Sequence, residues 1–92
     1  MNESNIKDAV RKLLKSVGAY QLWPVQTGRG AATLDCLICY KGKFYGVETK
    51  RPEVKNPTPR QACVMREIAE AGGGVCLENS LKCEATRNML GL

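Results

Sequence analysis

Residues 34 to 50 read LDCLICYKGKFYGVETK. Two strand-like runs, LDCLICY (34–40) and KFYGVETK (43–50), flank Lys41-Gly42, and a two-residue connection ending in glycine predicts a tight hairpin. Side chains alternate faces along a strand, so Glu48 and Lys50 point the same way. The hairpin folds Asp35, thirteen residues before Glu48, back beside that strand. Two carboxylates and an ammonium then converge at one end of the hairpin. Paired carboxylates suit a hard cation such as Mg2+, and the backbone carbonyl of Thr49 adds a third oxygen. Such a cation activates water and stabilises charge on a phosphate. Lys50 would orient the nucleophile or neutralise the oxyanion. The competing reading is a surface hairpin with a cross-strand Glu–Lys pair, worth on the order of tenths of a kcal/mol.

Working outward, residues 4 to 17 carry apolar groups at helical spacing, Ile6, Val10, Leu13, Leu14 and Val17, and Gly18 is a natural stop. Lys7, Arg11 and Lys15 line another face at i+4 steps. With Lys12 they form a basic face suited to a duplex arm, or simply a solvated one. YQLWPVQ (20–26) predicts a strand, with Pro24 marking an edge or bulge, and TGRGAAT (27–33) a loop. Beyond the hairpin, RPEVKNPTPR (51–60) is a loop broken by prolines. Thr58 as N-cap, Pro59 at N1 and Gln61 at N3 give a capping box that opens a second helix. Met65, Ile68 and Ala69 supply its apolar stripe and Gly72-Gly73-Gly74 its end. VCLE (75–78) predicts a short strand. Ser80 then caps a last helix carrying Leu81, Ala85 and Leu90. The expected class is α/β in one domain over 1–92: a small mixed sheet flanked by helices, in the order α-β-β-β-α-β-α.

Composition narrows the chemistry. The 92 residues include no histidine, which excludes a Ser-His-Asp triad, a Cys-His pair, His-ligated zinc and an imidazole base. Fourteen Lys and Arg against nine Asp and Glu give +5, a balance that favours a polyanionic partner. Only one Trp, three Tyr and one Phe are present, too few for a base-stacking platform. No apolar run reaches membrane-spanning length, so no membrane partner is expected. The start MNESNIKD does not read as a signal peptide, and five cysteines suit reduced thiols in a cytoplasm. Cys36 and Cys39 form a CxxC, but residues three apart on a strand face opposite ways, which argues against shared zinc. GRGAAT (28–33) imitates a dinucleotide fingerprint without its third glycine or its following helix, so no nucleotide cofactor is expected.

An Asp, a twelve-residue gap and Glu-x-Lys on a hairpin after an N-terminal helix resembles the PD-(D/E)XK nucleases, and more narrowly the VRR-NUC (virus-type replication-repair nuclease) domain. Glu3, Gly30, Leu34-Asp35, Gly42, Val47-Glu48-Thr49-Lys50, Gln61 and Ala71-Gly72-Gly73 carry the resemblance, from Glu3 to about Glu78. The family's Gly-x-Pro-Asp is replaced by GAATLD, with Leu34 where Pro is usual. The resemblance implies a restriction-endonuclease-like fold and a Mg2+- or Mn2+-dependent endonuclease. Its metal ligands would be Glu3, Asp35, Glu48 and the Thr49 carbonyl, with Lys50 and Gln61 assisting the water. Small stand-alone members resemble phage-type homodimeric Holliday-junction resolvases, which implies branched or duplex DNA and a second copy of the chain as partners.

Glu3 lies seven residues before Val10, about 20° from it around the helix, so it projects near the buried stripe; as a first-turn acid it also complements the helix dipole. Gln61 is both the N3 residue of the capping box and a residue of the sheet-facing side. Arg29, Arg51 and Arg60 flank the same end and suit backbone phosphates. Apolar surface left on the first helix, or on the last around Leu81, Met89 and Leu90, would favour pairing of two chains. Two other classes of function remain open: a DNA-binding module with a degenerate site, and a zinc-bound interaction protein using the cysteines.

Overall fold

The structure, a computed structural model, describes residues 2–26 and 30–92. Helix α1 (Glu3–Ser16) starts where the Asn2 side chain accepts the Asn5 N–H, and it buries Ile6, Val10, Leu13 and Leu14. Each such side chain contributes about 1.5–3 kcal/mol when fully withdrawn from water. Strands β1 (Tyr20–Leu22), β2 (Cys36–Tyr40) and β3 (Lys43–Thr49) follow, then α2 (Pro59–Glu70), β4 (Gly74–Glu78) and α3 (Glu84–Leu90). The element order is the one expected from the sequence.

The four strands form one sheet in the order β1-β2-β3-β4, antiparallel except for the β3–β4 pair, which is parallel across the α2 connection. Lys41 (φ 50°) and Gly42 (φ 78°) make the β2–β3 turn. Two successive left-handed residues match the right-handed twist of the flanking strands. One face of the sheet, with Cys36, Ile38, Tyr45 and Val47, packs on α1 and on Leu90 of α3. The other face meets α2. A Cβ on Gly46 would approach Leu34 Cδ1 to 2.8 Å and Ile68 Cδ1 to 3.1 Å, so glycine lets α2 sit close. No residue of α2 is fully buried, because it covers only the β3–β4 half of that face.

Two expectations are corrected. The strand at 20–26 stops at Leu22: Pro24 has no N–H to give a ladder, and Trp23 turns back, donating its indole N–H to Gln21 at 2.8 Å beneath the Arg11 guanidinium, 4.3 Å from the ring centre. The last helix begins at Glu84 rather than after Ser80. Ser80 caps only a local turn, accepting the Lys82 N–H at 3.1 Å, and Cys83 takes a left-handed conformation (φ 54°). The cap comes instead from β4. Buried Glu78 accepts the Thr86 N–H at 2.8 Å and its hydroxyl at 2.7 Å, and the Ser80 N–H at 3.2 Å. A carboxylate at a helix N-terminus satisfies free N–H groups and the helix dipole together. Leu81 is left outside the helix and exposed, while Leu90 is buried.

Candidate active site

The β2–β3 register sets Cys36 opposite Val47. One residue further, the strands part and Asp35 faces Glu48. The Asp35 N–H donates to Glu48 Oε1 at 3.1 Å, and the Asp35 carboxylate accepts the Thr49 N–H at 3.0 Å and its hydroxyl at 2.7 Å. Gln26 donates to the other Asp35 oxygen at 3.4 Å. Glu48 is 3% exposed and Thr49 fully buried. Lys50 Nζ stands 3.8 Å from Glu48 Oε2. The sequence-based pairing of Asp35, Glu48 and Lys50 at one hairpin end is thus present in the fold.

Gln61 is at once a capping residue and a neighbour of Glu48. Its Oε1 accepts the Thr58 N–H at 2.9 Å while Thr58 Oγ1 accepts the Gln61 N–H at 3.2 Å, completing the capping box. Its Nε2 donates to Glu48 Oε2 at 2.5 Å. The helix cap therefore fixes which end of the carboxamide meets the carboxylate.

Burial first, and the neighbouring Asp35 charge second, push the Glu48 carboxyl up to about 7; Glu3 adds a little in the same direction, while the Asp35 N–H and Lys50 pull it back. Burial and a neighbouring carboxylate both disfavour the charged form of Glu48. Asp35 and Glu48 are the residues here that could hold a cation. Mg2+ keeps several waters and is usually held by one or two carboxylates with substrate phosphates. The hard oxygens of Asp35 and Glu48 fit it, and the Thr49 peptide edge lies against them.

These groups lie in a cleft of about 420 Å³, rimmed by Glu3, Lys7 and Arg11 of α1 and by Trp23 and Pro24. Glu3 is at the cleft but apart from the pair. It is ion-paired with Lys7 one turn on, at 3.7 Å, and among the described residues no three acidic or thiol side chains converge as a ready-made metal cage. Of the four expected ligands, Asp35, Glu48 and Thr49 are brought together and Glu3 stands on the rim of the cleft. Arg60 borders a neighbouring hollow of about 200 Å³ that shares Gln26 and Gln61 with the cleft. Arg51 is turned to Glu53 at 3.0 Å, exposed on its loop. Lys15 is exposed beyond the cleft on α1. Arg29 lies outside the described residues. Cys36 is buried and Cys39 exposed, on opposite faces of β2, so the CxxC cannot grip one ion.

Sequence reasoning missed Gln26 and the Thr49 hydroxyl. The shortened β1 that returns Gln26 to the cleft was signalled by Pro24. The hydroxyl bond follows from the register, in which Thr49 stands just past the last β2–β3 pair.

No protein-family model and no curated protein matches the sequence. Among solved structures, one described as a VRR_NUC domain superposes with a TM-score of 0.75 at 22% identity, covering 94% of this chain and 92% of that one. The mixed four-stranded sheet with its three helices is accordingly restriction-endonuclease-like, and the chain has the fold of a VRR_NUC domain.

Proposed function

We propose that the protein is a Mg2+- or Mn2+-dependent DNA endonuclease that prefers branched substrates, four-way junctions above all. The observation that carries this reading is the pair Asp35–Glu48, with Glu48 buried and Asp35 half-buried, beside Lys50 in a cleft whose rim carries Lys7 and Arg11. Asp35 and Glu48 would hold the cation, which when bound supplies a Lewis acid and a water of lowered pKa. Lys50 is placed to hold the attacking water and to offset charge on the phosphorane-like transition state. Gln61 keeps Glu48 oriented and has one amide proton left for a water or phosphate oxygen. Water gives up a proton to solvent as it attacks phosphorus, the P–O bond to one deoxyribose breaks, and the leaving oxygen takes a proton from solvent. Lys7 and Arg11 hold backbone phosphates at the cleft mouth.

The homodimer belongs to this reading, because a junction with two-fold symmetry needs two symmetric cuts and one chain offers one carboxylate pair. Of the helix faces suggested by the sequence, Ile6, Val10, Leu13 and Leu14 of α1 and Leu90 of α3 are buried, Met89 is half-buried and Leu81 is exposed. The sheet is a better candidate. Tyr20, Cys39 and Phe44 form one cross-strand row on the face that α2 leaves open, beside Leu22 on the free edge strand β1. The test is cleavage of a four-way junction and a linear duplex of equal length, with Mg2+, Mn2+ or chelator. Faster, metal-dependent cutting of the junction supports the proposal. No cutting of either DNA under any metal rejects it.

A further inference from the structure

Helix α1 separates two depressions. Glu3, Lys7 and Arg11 face the cleft on one flank. At 100° per residue, Ala9, Lys12, Leu13 and Ser16 lie on the opposite flank. There they border a groove of about 370 Å³ whose far wall is Leu81, Lys82 and Arg87. Among the described residues, three cations line this groove and no acidic side chain does. The nearest α1 acid, Asp8, is turned to Arg11 at 2.9 Å.

The far wall is built, not merely exposed. Glu78 holds the start of α3, Ser80 fixes the turn through the Lys82 N–H, and the left-handed Cys83 swings the chain into the helix. The Arg87 Nε then donates to the Lys82 carbonyl at 3.2 Å, so the Arg87 guanidinium is anchored to the turn that carries Lys82.

We infer that the α1–α3 groove is a second binding surface for DNA backbone, engaging phosphates remote from the scissile bond. The inference rests on the proposed nuclease reading for its partner and extends it. Clustered cations without acids fit a polyanion, and exposed Leu81 offers an apolar contact for deoxyribose. A helix with side chains is about 10–12 Å across, comparable to a groove of duplex DNA. A branched DNA can place backbone on both flanks of α1 at once, whereas a linear duplex in the cleft reaches the far flank less readily. The groove thereby supplies a physical basis for structure preference.

The experiment measures binding of a four-way junction and a linear duplex, without divalent metal, by the wild type and by Lys12→Gln/Lys82→Gln. Lys55→Glu, on the exposed 51–58 loop, controls for net charge, and thermal melting confirms folding. If melting of the double variant is altered, Arg87→Gln replaces it. Two lost phosphate contacts should lower the slope of log affinity against log salt by about 2. Junction affinity at 0.1 M salt should fall at least about tenfold, with a smaller loss on the linear duplex. Unchanged junction affinity overturns the inference, and so does an equal loss in Lys55→Glu. Groove-dependent binding by a protein that cuts nothing with any metal would reject the nuclease reading and leave the groove standing.

Discussion

Asp35 and Glu48 grip the hairpin end from both strands: the Asp35 peptide N–H donates to the Glu48 carboxylate at 3.1 Å, and the Asp35 carboxylate accepts the Thr49 peptide N–H at 3.0 Å. The two acids are thereby fixed at neighbouring positions by hydrogen bonds to the backbone of the facing strand. Their mutual repulsion, added to burial, is held in place by backbone hydrogen bonds.

That repulsion sets a pH dependence. The Glu48 pKa is raised by the fold to about 7 from an ordinary 4.5. A carboxyl raised in this way contributes stability that is fully present below its unfolded value and is lost as pH rises through the folded one. Between pH 5 and 8 the wild type should lose stability relative to Glu48→Gln, which has no titrating group there. Urea midpoints of both proteins at the two pH values check this. A difference that stays constant contradicts the assignment.

Glu78 makes a prediction outside the cleft. Replacing it with Ala strands the Thr86 N–H, the Thr86 hydroxyl and the Ser80 N–H, so Glu78→Ala should cost on the order of 3 kcal/mol. Glu78→Gln keeps an acceptor and should cost less. Denaturation midpoints measure both, and an Ala variant as stable as the wild type would dismiss the role of Glu78 as the cap of α3.

Gln61 and Thr58 share a cap but only Gln61 reaches Glu48. Thr58→Ala and Gln61→Ala should each lose about 1 kcal/mol from the cap. Only Gln61→Ala should also slow cleavage at saturating DNA, by about tenfold or more, the scale of one oriented hydrogen bond in a transition state. Equal cleavage by the two variants would make Gln61 purely structural.

The open sheet face carries the dimer prediction. Phe44→Lys places a charge in the Tyr20–Cys39–Phe44 row at an exposed position, so folding should survive while association weakens. Sedimentation at micromolar concentration should show a dimer for the wild type and a monomer for the variant. A monomeric wild type, free and on a junction, would contradict it.

The parts legible in the sequence were those encoded locally. The hairpin with its Asp35–Glu48 alignment follows from strand alternation and a two-residue turn, and Thr58-Pro59-Arg60-Gln61 announced α2 in full. The parts that were not legible depend on side-chain partners that helix and strand periodicity do not report. A glutamate in β4 overrides Ser80 in starting α3, and Glu3 pairs with Lys7 one turn on. No local pattern reports which flank of α1 meets which neighbour. The basic face read as continuous is therefore split, with Lys7 and Arg11 at the cleft and Lys12 in the opposite groove.

The central claim is that Asp35 and Glu48 form a metal-dependent nuclease site. The most direct measurement is single-turnover cleavage of a four-way junction in Mn2+ by the wild type and Glu48→Gln, with junction affinity measured alongside. The account predicts that the variant cuts at least about 100-fold more slowly, the rate equivalent of roughly 3 kcal/mol of lost charge stabilisation, while its affinity stays within a few-fold. Cleavage by Glu48→Gln at the wild-type rate would contradict it.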